Sequence, residues 1–291
     1  MPVPLVESAP AKVNLTLRVI GRRDDGYHEI ESLVAFADFG DRLSFSPGGM
    51  LKLKVHGPSA VQAGEGDDNL VIKAVRALAA LRPGIMLGAF DLDKRLPVAA
   101  GLGGGSADAA AALRLIAQAS GLSGDDLNLY TAARATGADV PVCLDPRPRI
   151  MRGIGEVLSA ALDLPPLPAV LVNPGVALPT KAVFARWKPS KNPAALLDPA
   201  MVGPMDRDRL LQLLAAQEND LEGPAIALAS AIAEVLAALR AQPNCRLARM
   251  SGSGATCFAL FASTAYAVAA EKLLSVKQPA WWVKATALGG G

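Results

Sequence analysis

An α+β architecture is the fold class this sequence predicts, and three observations carry it. Alternating or apolar strand-like stretches cluster in the N-terminal third and recur at 169–173, 257–261 and 281–285. Alanine-rich segments of helical length lie among them, without the strict βαβα alternation of a doubly wound parallel sheet. No internal repeat organises the 291 residues; instead two proline clusters, DPRPRI at 145–150 and LDLPPLPA at 162–169, mark a boundary. The chain therefore reads as two domains, 1–160 and 161–291.

The elements follow in order. From Lys12 to Val19 the residues alternate, with Val13, Leu15, Leu17 and Val19 on one face and Lys12, Asn14, Thr16 and Arg18 on the other, as in a half-buried strand. A turn at Asp24-Asp25-Gly26 leads to short strands at 33–39, 42–46 and 51–55. Asn69 is placed to cap a helix over 70–81 that Arg82-Pro83-Gly84 closes. A strand at 86–92 runs into a glycine-rich loop, and helices are expected at 106–119 and 125–136. Residues 169–173 read as a buried strand, 188–206 as irregular, and 207–217 and 224–241 as helices. A second glycine turn at 248–254, a strand at 257–261, a helix at 264–275 and a strand near 281–285 complete the chain.

Composition narrows the function. Lys+Arg 29 against Asp+Glu 27 gives a net charge of +2, without the basic excess of a nucleic-acid-binding surface. An anionic ligand must then be held by local features and not by the global field. Cys143, Cys245 and Cys257 form no CxxC pair, which suits buried thiols in a reducing compartment, and His28 and His56 do not complete a zinc site. No basic stretch followed by an apolar run opens the chain, and the most apolar segment, AIALASAIAEVLAALRA, is interrupted by Glu234 and Arg240. The expectation is a soluble, cytoplasmic protein with neither a membrane nor a nucleic acid as partner.

The segment from Pro97 to Leu113 carries most of the chemistry. Gly101, Gly103, Gly104 and Gly105 around Leu102 form a loop whose backbone a ligand can approach closely, and Ser106 opens an alanine-rich helix. The first N–H groups of such a helix and the positive end of its dipole suit phosphate oxygens. Ser106 can cap that helix or offer its hydroxyl to a phosphate or metal ion. No Gly-Lys dipeptide exists, which excludes a Walker A loop, and Ser251 stands where the G-x-S-x-G hydrolase elbow needs glycine. A dinucleotide fingerprint fails because Ser106 occupies the place of its third Gly or Ala. On these residues alone the loop is either a structural turn or a phosphate cradle.

P-x-x-x-G-L-G-G-G-S before an alanine-rich helix resembles the ATP loop of the GHMP kinases, the superfamily of galactokinase, homoserine kinase and mevalonate kinase. Pro10-Ala-Lys12-Val-Asn14-Leu, Gly26-Tyr27-His28 and Gly137-Ala-Asp139-Val-Pro141 are similar to one branch of it. Pro174 to Thr180, Glu218 to Glu222 and Met250 to Thr256 extend the likeness from about residue 8 to 262. That branch acts on a cytidine diphosphate sugar-alcohol in the non-mevalonate route to isoprenoid precursors.

The resemblance implies an ATP-dependent kinase with a ribosomal protein S5 domain 2-like N-terminal, ATP-binding domain and a ferredoxin-like C-terminal, substrate-binding domain. The active site is expected in the cleft between them. ATP would be held by Pro97, Gly101, Leu102, Gly103, Gly104, Gly105 and Ser106, with Mg²⁺ accompanying it on ligands the sequence does not identify. Asp139 would accept the proton of the acceptor's 2-hydroxyl, and Lys12 would stabilise the developing oxygen charge. Tyr27 and Phe184 would sandwich the cytosine while His28 reads its edge. Asn14, Thr180, Gly252, Ser253 and Gly254 would complete the substrate site. One departure is Ala107, where close relatives often carry a second serine.

Three other readings stay open on the sequence. Another GHMP kinase would share the ATP loop but not the Gly26-Tyr27-His28 segment, and a binding module without catalysis would have no use for Lys12 and Asp139. An NAD-dependent oxidoreductase would need the fingerprint that fails above.

Overall fold

The computed structural model describes residues 4–190 and 195–289 of the chain. Its first strand, β1, runs over Leu5–Asn14, and β2 follows at Arg18–Arg22. The continuous strand expected over 12–19 is interrupted between them. Leu17 donates its N–H to the Glu218 carbonyl (3.0 Å) and accepts from Asp220 N–H (2.8 Å), contacts that take it out of the ladder. Nor is the stretch half-buried: Lys12, Asn14 and Thr16 are as deeply covered as Val13, Leu15 and Leu17. Alternation signals two different faces, but not that one of them meets water.

β3, His28–Pro47, unites the two strands expected at 33–39 and 42–46. Gly40 does not turn the chain. A Cβ there would stand 2.2 Å from the Ala9 carbonyl, so its absence lets β1 lie against β3. β4 (Lys52–His56) is followed by the one-turn helix α1 (Ala60–Ala63) and by α2 (Leu70–Leu81). β5 (Gly88–Asp93) runs parallel to β4 and antiparallel to the Arg42–Pro47 end of β3.

α2 occupies its expected span. Asn69 accepts a hydrogen bond from Val71 N–H at 2.9 Å, and Val71, Ile72, Ala74, Val75 and Leu78 form the buried stripe. α3 (Gly104–Ser120) starts two residues before the expected helix, and α4 (Leu127–Thr136) starts two residues after, on an Asp126 cap. The five-residue α5 (Val140–Leu144) is too short to leave a periodic signal. α2, α4 and α5 pack on α3, whose small buried side chains from Ala107 to Ala112 permit close approach. The described residues of Met1–Lys12, Gly40–Val98 and Gly103–Pro146 make up this first compact unit.

The second unit comprises the described residues of Val13–Phe39, Ala99–Leu102 and Arg147–Gly291. Here β2 and β6 (Arg149–Gly153) pair antiparallel with the first part of β3, and β7 (Val157–Leu158) pairs with β6. Four further strands are β8 (Leu167–Asn173), β9 (Cys245–Met250), β10 (Cys257–Phe261) and β11 (Trp282–Leu288). They form an antiparallel sheet in the order β11–β8–β10–β9. Helices α6 (Thr180–Phe184), α7 (Arg207–Ala215), α8 (Glu222–Ile226) and α9 (Ala231–Arg240) connect β8 to β9. α10 (Thr264–Lys277) connects β10 to β11. This strand order with a helical crossover on each side is the ferredoxin-like arrangement expected for the C-terminal part.

Two expectations need correction. The single helix read over 224–241 is α8 and α9, because a tightened turn, Leu228 N–H to the Ala225 carbonyl at 3.0 Å, separates them. That break sets the register in which Ile232, Val235, Leu236 and Leu239 are buried against β9 and β10. The stretch read as irregular over 188–206 contains a 3₁₀ turn at Pro199–Val202, while 191–194 lie outside the described residues. Cys143 and Cys257 are buried as expected and Cys245 is half-buried; none is in a disulfide. Burial pushes the Cys143 thiol up to about 12, with Asp139 adding to the effect. Among the described residues, no helix is long and apolar enough to cross a membrane.

Asn69→Ala removes the α2 cap and should cost about 1 kcal/mol of unfolding free energy, measured by urea denaturation. An unchanged midpoint would show that α2 does not depend on that cap.

Candidate active site

In the first unit the site begins at the start of α3. Gly103 caps the helix in a left-handed conformation (φ 61°), and the first helical hydrogen bond runs from Ala107 N–H to the Gly103 carbonyl at 2.8 Å. The N–H groups of Gly104, Gly105 and Ser106 precede that bond, at the positive end of a 17-residue helix. Ser106 is thus the third residue of the helix and not its cap, and it makes no side-chain capping bond. The glycines extend the helix past the serine because an αL glycine can begin it without a side chain. Ala107 is buried, so the serine missing at this position takes nothing from the exposed face of the loop.

Lys12 on β1 and Asp139 at the start of α5 meet as expected: Nζ lies 3.0 Å from Oδ2. The Lys12 side chain is 4% exposed and that of Asp139 39%, so the pair has a covered cation and an accessible carboxylate. Asp139 makes no capping bond to α5, which leaves the carboxylate directed at the ammonium. A Cβ on Gly103 would stand 3.2 Å from Lys12 Cε, so the lysine stem runs beneath the first turn of α3.

A second buried cation lies close by in the same unit. Lys94 Nζ is 2.5 Å from Asp41 Oδ2 and 2.6 Å from Asp108 Oδ2, and all three side chains are covered. Asp41 Oδ1 also accepts from the N–H groups of Arg95 and Leu96, at 2.6 and 2.8 Å. Burial opposes the Lys94 charge, yet the two carboxylates outweigh it and hold its pKa above the ordinary value. Burial pushes Asp108 up to about 8, against the pull of Lys94 and with the help of Asp41. One ammonium thus faces two carboxylates, and burial together with the Asp41 charge favours the protonated form of Asp108. The place a Cβ would take on Gly104 is 3.1 Å from Lys94 Nζ, so this cluster underlies the first turn of α3.

In the second unit two glycine turns are locked together. Gly101 (φ 77°) approaches so closely that a Cβ would stand 2.5 Å from the Ser251 carbonyl and 2.9 Å from that of Gly254. Ser251 Oγ donates to the Gly101 carbonyl (2.9 Å) and accepts from Asn14 N–H (3.1 Å). Thr256 N–H donates to the Ala100 carbonyl (3.1 Å). Asn219 Nδ2 donates to the carbonyls of Met250 and Gly252, both at 2.8 Å. Asn14, itself buried, donates from Nδ2 to Ser32 Oγ at 2.7 Å, with Oδ1 next to Gly252.

The remaining expected residues are more dispersed. Thr180 Oγ1 and Ser253 Oγ are 2.9 Å apart and solvent-facing. His28 and Phe184 stack with centroids 4.9 Å apart, and Trp187 stands edge-on to His28 at 5.8 Å. Burial, with the Arg22 charge, lowers the His28 pKa, so its ring is neutral at pH 7. The stacking partner of Phe184 is therefore His28, whereas Tyr27 is 61% exposed. Of the loop residues, Leu102 is buried and Pro97 half-buried; both serve to anchor the loop.

Sequence reasoning missed Asp41, Lys94, Asp108 and Trp187, and placed Ser251 and Asn219 in family-like segments without giving either side chain a role. Asp108 did carry a signal, as the only acid of α3, at the start of its alanine run. The others have no local mark, because the partners described above lie 14 to 237 residues away.

The N-terminal domain model of the GHMP kinases matches residues 69–145 and the C-terminal one residues 203–273. The fold and the loop are those of a GHMP kinase. The chain is 58% identical to a 4-diphosphocytidyl-2-C-methyl-D-erythritol kinase of Methylobacterium radiotolerans, over 98% of this chain and 99% of that one. It is 54% identical to the Xanthobacter autotrophicus protein of the same name, over 96% and 97%. A crystal structure of 4-(cytidine 5'-diphospho)-2C-methyl-D-erythritol kinase superposes with TM-score 0.77 at 36% identity, covering 99% of this chain and 100% of that one. A homoserine kinase from Cytophaga hutchinsonii, at 20% identity and TM-score 0.71 over 98% and 95%, shares the fold. The chain belongs to the 4-diphosphocytidyl-2-C-methyl-D-erythritol kinase family.

The Asp108 shift has a testable consequence. Its ordinary value is 3.8 and the folded value about 8, so the folded state holds a proton that the unfolded state releases above about pH 4. This contribution to stability is present at low pH and is lost as pH rises through about 8. Asp108→Asn keeps an acceptor for Lys94 and should flatten the pH dependence of Tm over that window. An unaltered slope would show that Asp108 is ionised throughout.

Proposed function

We propose that the chain transfers the terminal phosphoryl group of ATP to the 2-hydroxyl of 4-diphosphocytidyl-2-C-methyl-D-erythritol. The reaction belongs to the methylerythritol phosphate route to isoprenoid precursors. The observation that carries the catalytic part is the 3.0 Å contact between a covered Lys12 ammonium and the accessible Asp139 carboxylate. The acceptor hydroxyl hydrogen-bonds to Asp139 and gives it its proton as the oxygen attacks the γ-phosphorus; the bond to the β-phosphate oxygen breaks and ADP leaves. Lys12 balances the charge that gathers on oxygen, in a setting where a covered cation acts more strongly than in water.

ATP phosphates lie against the N–H groups of Gly104, Gly105 and Ser106, with Pro97, Gly101, Leu102 and Gly103 shaping the loop. Among the described residues, no group of three His, Cys, Asp or Glu is assembled to hold a metal ion. Mg²⁺ would arrive on the nucleotide, ligated by phosphates and water, with the Ser106 hydroxyl as a protein donor. When bound it supplies positive charge to the phosphates.

The cytosine is read by the neutral His28 ring, which presents one donor and one acceptor to the base edge. Phe184 offers a ring face and Tyr27 closes over the base from its exposed position. Asn14, Thr180, Gly252, Ser253 and Gly254 line the path of the sugar-alcohol and its diphosphate. On this reading the ATP loop lies within 1–160, and the substrate is met by residues of both 1–160 and 161–291, in the cytoplasm.

Asp139→Asn should lower kcat by about 10²- to 10⁴-fold while ATP binding, measured by calorimetry, is retained. Near-normal turnover would remove Asp139 from the mechanism, and turnover only with mevalonate or homoserine in an acceptor panel would reassign the substrate. Phe184→Ala should raise KM for the cytidyl acceptor about 5- to 150-fold and leave KM for ATP unchanged, as loss of one stacked base predicts. Equal effects on both substrates would contradict the base-stacking role.

A further inference from the structure

α3 carries one base, Arg114, ten residues after the helix begins at Gly104. Its side chain is largely covered, and its three nitrogens are directed at two other elements. Nη1 donates to the Cys143 carbonyl on α5 at 2.7 Å, and Nη2 to the Ser8 carbonyl on β1 at 2.8 Å. Nε completes the grip on β1 by donating to Glu7 Oε2 at 3.1 Å. One planar guanidinium thus joins α3, β1 and α5, all within the first unit.

The two elements that Arg114 ties to α3 are those that carry Lys12 and Asp139. Lys12 stands four residues beyond Ser8 on β1, and Asp139, the residue before α5, stands four residues ahead of Cys143. At the rises of a strand and a helix these separations are about 13 Å and about 6 Å, so each grip lies a short, stiff stretch of backbone from the group it serves. β1 meets α3 a second time at the first turn, where the Lys12 stem comes within 3.2 Å of the Cβ place on Gly103. The Cys143 thiol feels the charges of Asp139, Lys12 and Arg114 alike, which gathers all three groups around α5.

α5 needs such a hold. A helix of five residues leaves most of its carbonyls without an intrahelical donor, and Asp139 makes no capping bond at its start. The guanidinium brings a charged donor to its C-terminal part, where the helix dipole favours a cation. Packing against α3 and α4 covers the apolar side chains of α5. Apolar contact has no direction, so it does not by itself fix where Asp139 stands relative to β1; two directed, charge-assisted bonds from one rigid fork do.

We propose that Arg114 is a positioning residue for phosphoryl transfer, whose fork on the Ser8 and Cys143 carbonyls sets the separation of Lys12 and Asp139. The clamp is independent of the kinase reading; its effect on turnover rests on that reading.

The test compares Arg114→Met, which keeps the stem and removes every donor, with Arg114→Lys, which keeps the charge but not the fork. Amide hydrogen exchange of the full chain reads the clamp: Val142, Cys143 and Leu144 should exchange about tenfold faster or more in Arg114→Met, with α2 unchanged. In steady-state kinetics kcat should fall about 10- to 100-fold, while KM for ATP and for the cytidyl acceptor stays within about twofold. That split marks a displaced reacting group in an intact binding site. Arg114→Lys should recover part of kcat, because an ammonium can still hold one carbonyl. In an Asp139→Asn background the Met substitution should cost less than about threefold, since a residue that acts through Asp139 then has nothing left to position. An undiminished loss in that background, or a KM rise as large as the fall in kcat, makes Arg114 a general stabiliser and overturns the positioning role. Unchanged exchange in α5 overturns the clamp. Should Arg114→Met fail to fold, Arg114→Lys carries both readouts, and native exchange with native kcat in that variant overturns the proposal. Near-normal turnover of Asp139→Asn by itself counts against the kinase reading, and exchange in α5 then decides the clamp alone.

Discussion

An ammonium group taken out of water costs several kcal/mol unless a counter-charge and hydrogen bonds meet it, and the structure meets that demand at Lys12 with Asp139. Its partner, Asp139, keeps an accessible carboxylate because α5 starts without using it as a cap. β1 brings Lys12 and the entry into α5 brings Asp139 to this contact, and a Cβ on Gly103 would crowd the lysine stem. The same demand recurs at Lys94, where two carboxylates meet one cation and the surplus is absorbed by a proton on Asp108. Charge is thus stored in the interior beneath the first turn of α3 without a large net potential, in keeping with a chain whose overall balance is only +2.

The second unit meets a different constraint, that of holding irregular backbone in place. Glycine turns have no side chains of their own to anchor them, so polar side chains from distant segments supply the contacts. Ser251 reaches the Gly101 carbonyl, and Asn219 chelates Met250 and Gly252. These groups are buried and satisfied, which makes the network rigid, and each is bound to more than one segment.

Much of the fold was legible in the chain itself, where local rules act alone. The Asn69 cap, the 3.6-residue stripe of α2, the apolar run of β10 and the helix after Ser263 need no tertiary partner to be recognised. Illegible were the interruption at Leu15–Leu17, the fusion of two strands into β3 and the split between α8 and α9. Each is imposed by a contact far along the chain: Leu17 with Glu218 and Asp220, Gly40 with Ala9, and α9 with β9 and β10. The aromatic site shows the same division, since Tyr27, His28 and Phe184 are recognisable but the stacking of His28 on Phe184 is not.

By itself the sequence determined the chemistry on offer: a glycine loop ahead of a helix, a lysine and an aspartate in an apolar setting, and a family whose motifs run almost the length of the chain. Those are properties of residue type and local spacing, and short-range sterics and hydrogen bonding suffice to express them. Only the tertiary structure decided which charges are paired and which are accessible. It put Lys12 against Asp139, gave Lys94 two carboxylates, tied the two glycine turns of the second unit together and set the Arg114 guanidinium between β1 and α5. The physical reason is that desolvation and Coulomb energies depend on distances between residues far apart in the chain, and no local pattern encodes those distances.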